Sequence, residues 1–243
     1  MEVREHIIEV KDMVKKFGSF TANDHLTFHV EQGEIFGFLG ANGAGKTTAM
    51  RILCGLSYPT SGEIRVAGHD VYRERERIKR KIGYMSQKFS LYEDLTVSEN
   101  IHLYAGIYGL GRKQIVVRED QLLERLGLTH VRNRLIREIP LGWKQKLAFS
   151  VAIFHQPAIV FLDEPTGGVD PITRRQFWEM IHDATEEGIT VFVTTHYMDE
   201  AEYCDRVSIM VDGRIDALDT PAALKQQYDS VNMNEVFLKL ARS

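Results

Sequence analysis

The run Ile35-Phe36-Gly37-Phe38-Leu39 opens directly into Gly40-Ala41-Asn42-Gly43-Ala44-Gly45-Lys46-Thr47, and a stretch of helical period follows. A continuous apolar run of this length reads as a strand buried on both faces. The residues after it fit G-x-x-x-x-G-K-[ST], placed between strand and helix as that pattern requires. Glycines let backbone N–H groups turn inward around a phosphate with no Cβ in the way. The helix beginning near Lys46 aims the positive end of its dipole at the same anion. Lys46 is then within reach of the β- and γ-phosphates of a nucleotide, and the Thr47 hydroxyl is a ligand for Mg²⁺.

A second motif lies far downstream. Ala158-Ile159-Val160-Phe161-Leu162 runs into Asp163-Glu164, which predicts carboxylates at the carboxyl edge of a sheet, where α/β folds bind ligands. One acid holds Mg²⁺ and the other orients the attacking water. Around these motifs, Leu26–Val30 alternates as a half-buried strand, Glu31–Glu34 is a turn, and Glu63–Val66 with Gly68 is a short strand and turn. The helix after the glycine loop is expected to share one face among Ala49, Met50, Ile52, Leu53 and Leu56. From Leu91 to His155 the pattern is mostly helical, with Gly127 expected to end a helix in a left-handed cap. Strand character returns at Ile189–Val193 and Arg206–Val211, and Asp170-Pro171 opens a helix between Ala158–Leu162 and Ile189–Val193. Asp212-Gly213 predicts a hairpin into Arg214–Ala217. The expected architecture is an α/β core with a parallel sheet, split by a helical insertion, with antiparallel β elements at both ends.

Composition narrows the function. The chain has 243 residues and a formal net charge of −4, which disfavours binding that depends on neutralising many phosphates of a polynucleotide. Its two cysteines, Cys54 and Cys204, form neither a disulfide framework nor a zinc cluster, so a reducing compartment is expected. The first residues carry acids and no apolar core, so no signal peptide is expected. The uncharged stretch from Leu147 to Leu162 is broken by Pro157 and too short for a bilayer. These readings point to a soluble intracellular protein. The basic run Arg73–Lys81 also contains Glu74 and Glu76, as a solvated helix face does.

These motifs, in this order and spacing, resemble the nucleotide-binding subunits of ABC transporters over nearly the whole chain. The resemblance implies a P-loop NTPase (RecA-like) core with an antiparallel β subdomain and an inserted α-helical subdomain. Residues 1–87 and 156–225 would form the core and β subdomain, 88–155 the helical part and 226–243 a short tail, all one domain. It implies ATP and Mg²⁺ as ligands, held by Gly40, Asn42, Gly43, Ala44, Gly45, Lys46, Thr47 and Thr48. Asp163 would be the metal-binding aspartate and Glu164 the catalytic glutamate. Gln87, after Lys81-Ile82-Gly83-Tyr84-Met85-Ser86, looks like the glutamine that contacts Mg²⁺ near the membrane-subunit interface. His196, after Val193-Thr194-Thr195, looks like the switch histidine of the γ-phosphate, and Gly168-Val169-Asp170 like the loop that crosses between protomers. Phe17 matches the aromatic that stacks on adenine; a single Phe near a chain start is usually an ordinary core aromatic, and its place before Gly18 and the first hairpin favours the stacking role. Gln87 alone also suits a polar strand end, Asp170 serves as a helix N-cap in either case, and His196 with Glu200 is too sparse a pair for a metal site.

The chain departs from the family at its signature, which resembles L-S-G-G-Q. Here the matching stretch is Ile139-Pro140-Leu141-Gly142-Trp143, and only Gly142 of the S-G-G portion remains. In the family this segment contacts the γ-phosphate held by the opposite subunit. Pro140 offers neither hydroxyl nor N–H, whereas the N–H groups of Leu141, Gly142 and Trp143 still suit an anion at a helix start. Losing one hydrogen bond to a charged acceptor costs about 1.5–3 kcal/mol. Both a heterodimer with a conventional partner and a homodimer served by this variant fit that pattern. The implied partners are a second ATPase subunit and an integral-membrane transporter subunit at the cytoplasmic face, with export suggested by similar proline-containing signatures and by the tail Asn234–Leu238. Two other readings are a soluble ABC ATPase working on nucleic acid or ribosomes and a near-inactive regulatory subunit. A single P-loop, no sustained heptads and the negative charge weigh against the first.

Overall fold

The computed structural model describes residues 5–87 and 91–241. Residues 1–4, 88–90 and 242–243 lie outside it, and with them part of the stretch read for a leader, the first positions of the expected insertion and the end of the tail. The chain begins β1 (His6–Phe17), β2 (Phe20–Glu31), β3 (Ile35–Gly40), α1 (Lys46–Leu53), β4 (Ser61–Val66), β5 (His69–Asp70), α2 (Arg75–Lys81) and β6 (Ile82–Met85). It continues α3 (Val97–Ile107), α4 (Arg112–Arg125), α5 (Leu141–Ile153), β7 (Ile159–Asp163), α6 (Pro171–Glu186), β8 (Thr190–Thr195) and β9 (Arg206–Val211). It ends β10 (Arg214–Asp219), α7 (Pro221–Gln227) and α8 (Met233–Leu240).

Two sheets result. The smaller is antiparallel in the order β2-β1-β4-β5. The larger runs β10-β9-β3-β8-β7-β6, parallel from β9 through β6 and closed by the antiparallel β9–β10 hairpin. That hairpin turns at Asp212 and Gly213, both at positive φ (46° and 82°), as expected of the Asp-Gly pair.

Alternate residues of the central strands enter two different cores, which is why these strands read as unbroken apolar runs. Phe161 and Phe192 face the smaller sheet, where Phe28 of β2 meets Phe36, Phe38 and Phe192 with ring centroids 5.5–6.4 Å apart. Val160, Leu162, Val191 and Val193 face the opposite core with Phe149 of α5 and Phe177 and Trp178 of α6. The helices α3, α4 and α5 fall between β6 and β7 in sequence. A reciprocal Thr96–Glu99 capping box starts α3, and Gly127 follows α4 at φ 67°, the left-handed cap expected of it.

Three local features are not foreseen from periodicity. β1 has no alternating signature because Asp12 takes φ 55° and the pairing register shifts between Val10 and Met13, so its buried positions change phase midway. His25, at φ 56°, likewise breaks β2 and leaves only its second half legible. Leu56 does not share the α1 face: the helix ends at Leu53, Gly55 turns the chain at φ 68°, and Leu56 is exposed.

Candidate functional site

The parallel strands deliver their carboxyl ends to one edge. Register pairs Leu39 of β3 with Thr195 of β8, Thr194 of β8 with Asp163 of β7, and Leu162 of β7 with Met85 of β6. The glycine loop, the acid pair, His196 and Gln87 therefore leave the sheet side by side, although they span much of the sequence. At this edge lies a cleft of about 330 Å³ lined by Asn42, Gly43, Gly45, Lys46, Thr47, Thr48, Gln87 and Glu164, with Phe20 and Ala22 of β2, and Asp163 and His196 stand next to its lining.

Gly45 takes φ 101°, and a Cβ there would stand 2.3 Å from the Ala22 carbonyl oxygen, so no other residue fits without moving β2. No side chain caps α1, and its first turn holds no acid. A helix start left in this state at the floor of a cleft suits an anion. Gly40 contributes through its carbonyl, which accepts from Lys46 Nζ at 2.7 Å, and Ala41 accepts a second bond at 3.1 Å. Ala44 turns inward and is buried. Lys46 Nζ also stands 3.7 Å from Glu164 Oε1, and the lysine side chain is only 5% exposed. Burial pushes its pKa down, opposed by the charges of Glu164 and Asp163. A buried ammonium held by two carbonyls and one carboxylate is poised to exchange them for phosphate oxygens.

Asp163 is nearly fully buried, and two hydroxyls converge on its Oδ1: Thr194 donates at 2.7 Å and Thr47 at 3.2 Å. The Thr47 hydroxyl and the Asp163 carboxylate are the hard oxygen donors that Mg²⁺ prefers, so the residues present fit that ion. Glu164 takes φ 48°, and its N–H is bonded by both the carbonyl and the hydroxyl of Thr194, at 3.1 and 3.2 Å. The strained turn points its carboxylate across the cleft. Gln87 Nε2 donates to Glu164 Oε2 at 2.8 Å, and His196 Nδ1 stands 3.0 Å from the same oxygen without the alignment of a hydrogen bond. Lys46, Gln87 and His196, all expected from sequence, thus gather around one carboxylate.

The remaining expected residues lie apart from this cleft. Phe17 sits at the β1–β2 hairpin, 55% exposed, with Lys15 Nζ 4.8 Å from its ring centroid. Its cross-strand partner Phe20 is the aromatic that lines the cleft. Pro140, Leu141 and Gly142 start α5 against the beginning of α6, where a Cβ on Gly142 would come within 2.7 Å of Thr173 Cγ2. Asp170 caps α6 by accepting from Ile172 N and Thr173 N, both at 3.0 Å, and its second oxygen accepts from Thr173 Oγ1 at 2.6 Å. That hydroxyl bond, with the backbone donors, holds the Asp170 pKa below its ordinary value. The start of α5 adjoins the loop before α6, where a Cβ on Gly168 would stand 3.9 Å from Leu141 Cδ2, and Leu141 and Ile172 are exposed. Sequence reasoning missed Phe20, Ala22 and Thr194. Only the strand pairings that bring them to the loop and the acids reveal them.

Strand order and the edge that gathers these groups define the class: a P-loop nucleotide-hydrolysing α/β protein. Within it the chain belongs to the ABC transporter family, whose defining sequence pattern matches residues 23–167, as the ATP-binding domain of that family. It is 48% identical over 223 residues to the probable multidrug ABC transporter ATP-binding protein YbhF of Escherichia coli, covering 92% of this chain and 39% of that protein. It is 40% identical over 211 residues to the bacitracin transport ATP-binding protein BcrA of Bacillus licheniformis, covering 86% of this chain and 68% of that one. The fold is similar to a solved ATP-binding subunit of an ABC transporter, with a TM-score of 0.86 at 28% identity over 96% of this chain and 99% of the other. It is also similar to an ATP-binding cassette solved as a dimer with ADP and phosphate after hydrolysis, with a TM-score of 0.79 at 26% identity over 88% and 98%. Among the described residues, no helix is long and apolar enough to cross a membrane.

Proposed function

We propose that this chain binds Mg·ATP in the Lys46 cleft, hydrolyses it to ADP and phosphate, and powers a separate integral-membrane subunit, most simply in export. The convergence of Lys46, Gln87 and His196 on Glu164 carries this reading. Lys46 and the N–H groups of the loop bind the β- and γ-phosphates. Thr47, Asp163 and Gln87 hold Mg²⁺, which supplies neutralisation of the phosphate charge when bound. Glu164, released from Lys46 as that ammonium turns to phosphate, orients a water in line with the γ-phosphorus and takes its proton. His196 stabilises charge on the γ-phosphate oxygens from the opposite side of the carboxylate. The aromatics Phe17 and Phe20 supply stacking surface for the base.

Two such subunits meet head to tail, each offering Pro140, Leu141, Gly142 and Asp170 to the nucleotide of the other. The dimeric relative and the exposed Leu141 and Ile172 support this arrangement. Gln87 and the insertion at 88–155 relay closure to the membrane subunit, with 1–87 and 156–225 as the core that moves against it. The multidrug and bacitracin relatives support export, and residence at the cytoplasmic face of the membrane follows from that partnership. ATPase assays of the wild type and Glu164→Gln, alone and with the co-purified membrane complex, test the reading. Loss of a general base is expected to slow turnover by about 10²–10⁴ with Mg·ATP still bound. Equal rates for the two proteins would remove Glu164 from the chemistry.

A further inference from the structure

Glu200 lies outside the cleft, in the 3-10 segment Met198–Tyr203, and is fully buried. Thr166, just downstream of the acid pair, donates its hydroxyl to Glu200 Oε1. The N–H of Glu200 donates to the Tyr197 carbonyl at 3.2 Å, and the N–H of Tyr197 donates to the Thr195 hydroxyl at 3.0 Å, so the residues on both sides of His196 are tied by bonds that lead to Glu200. Arg174 of α6 backs the arrangement: its Nε is 3.6 Å from Glu200 Oε1, its guanidinium lies 4.4 Å from the Tyr197 ring centroid, and its Nη1 reaches Asp199 Oδ2 at 3.4 Å.

On the far side, Thr166 is part of the turn that leads from Glu164 to Asp170. The N–H of Gly167 bonds the Glu164 carbonyl at 3.2 Å, and the N–H of Val169 bonds the Thr166 carbonyl at 3.4 Å. Gln145 of α5, itself buried, donates to the Gly167 carbonyl at 3.2 Å. The carboxylate therefore stands where the His196 loop, the 164–170 turn and α6 meet. A leucine or methionine would fill the same volume with no desolvation cost. It would lack the acceptor on which the Thr166 hydroxyl and the Arg174 guanidinium converge. Burial raises the Glu200 pKa and the nearby Asp199 adds to that, while Thr166, Thr195 and Arg174 oppose it.

We infer that Glu200 is a positioning residue, which through Thr166 and Arg174 locks the segment after His196 to the turn carrying Glu164 and Asp170 and so fixes where the His196 ring stands. The inference rests on the hydrolase reading above for its consequence in turnover, though not for its geometry. Glu200→Gln removes the charge, so the Thr166 hydroxyl is left with a neutral acceptor and Arg174 without its buried counter-ion. Misplacing a group that acts on the transferring phosphate costs about tenfold to a hundredfold in kcat. KM for Mg·ATP should stay within about twofold, because the Lys46 loop is untouched.

The test uses the full chain with Glu200→Gln, Thr166→Val and the double variant, read in two ways. Steady-state ATPase should show the kcat loss without a KM change, and the double variant should be no slower than Glu200→Gln alone because both break one linkage. Histidine-labelled protein should show the His196 ring resonance, assigned by its absence in His196→Gln, shifted in both single variants. An unchanged kcat, losses that simply add, or an unmoved His196 resonance would overturn the inference. Should Glu200→Gln fail to fold, Thr166→Val leaves the carboxylate in place and decides the question alone. A wild type without ATPase activity would instead defeat the hydrolase reading, and the His196 resonance, which needs no turnover, would still judge the role of Glu200.

Discussion

Thr194 was invisible as a site residue in the sequence, yet it holds both acids, and its replacement by valine isolates that role. The substitution removes one hydroxyl and keeps the shape of a fully buried side chain. The Glu164 N–H loses its 3.2 Å contact but keeps the Thr194 carbonyl at 3.1 Å, so little energy is lost there. Asp163 Oδ1 loses its 2.7 Å donor and keeps only the Thr47 hydroxyl at 3.2 Å. A charge-assisted bond to an acid that is 3% exposed is removed with no water able to replace it. The expected loss is about 1.5–3 kcal/mol. For a chain of this size roughly 2–4 °C accompanies each kcal/mol, so Tm should fall by about 4–8 °C for a loss near the middle of that range.

Thermal unfolding with and without Mg·ATP measures this, and calorimetric titration measures the affinity. Mg·ATP binding should weaken by about tenfold, because Asp163 reaches the metal from a less fixed position. Thr190→Val is the control: its buried hydroxyl, on the same strand, accepts only the Gly33 N–H at 2.9 Å, away from the acids. It should lower stability by about 1 kcal/mol and leave Mg·ATP affinity unchanged. A Tm for Thr194→Val within 1 °C of the wild type, or equal weakening of nucleotide binding by both variants, would refute the assignment.

Two further outcomes follow from local chemistry. His155 stacks on Tyr108 with centroids 3.6 Å apart, its Nε2 lies 3.1 Å from the Ile82 carbonyl, and burial pushes its pKa from 6.5 down to about 4. The unfolded chain takes a proton near pH 6.5 that the folded protein refuses until about pH 4, so stability is intact above that window and falls as pH drops through it, by at most about 3 kcal/mol and by less because the ring is partly exposed. Urea titrations of His155→Gln should show a shallower decline between those limits, and identical declines would refute the assignment. Pro140→Ser supplies the missing hydroxyl at the N-cap of α5 while releasing a ring whose φ of −57° already suits that place. Gain of a cap and loss of chain stiffness nearly cancel, so stability should stay within about 1 kcal/mol. ATPase turnover of the assembled complex should rise several-fold, and an unchanged rate would show that the native signature serves its partner's nucleotide adequately.

The legible part of this site is the part written contiguously. Gly40–Thr47 and Asp163-Glu164 are short motifs attached to buried strands, and the two-sided burial of those strands is what makes each an apolar run. Their meeting was implied by the parallel arrangement, since parallel strands release their carboxyl ends at one edge. What periodicity lost is where the backbone leaves its regular path: Asp12 and His25, at φ 55° and 56°, change the phase of β1 and β2 and erase the alternation that would have announced them. The same irregular hairpin carries Phe20 and Ala22 to the nucleotide cleft, so the feature that hid these strands also hid two residues of the site.

Thr194 and Glu200 were lost for a different reason, and it bears on how this site works. Neither belongs to a motif that acts on phosphate, and each does its work through a neighbour: Thr194 through the Asp163↔Thr194 register, Glu200 through Thr166 and Arg174. The strand that separates β3 from β7 thereby supplies Thr194 as the anchor of the acids and, directly after its last residue, the histidine itself. A shift of β8 by one residue would turn Thr194 away from Asp163 and displace His196 with it. The catalytic geometry is thus set in part by the register of a strand outside both motifs, and strand register is a property of paired chains that no single segment contains.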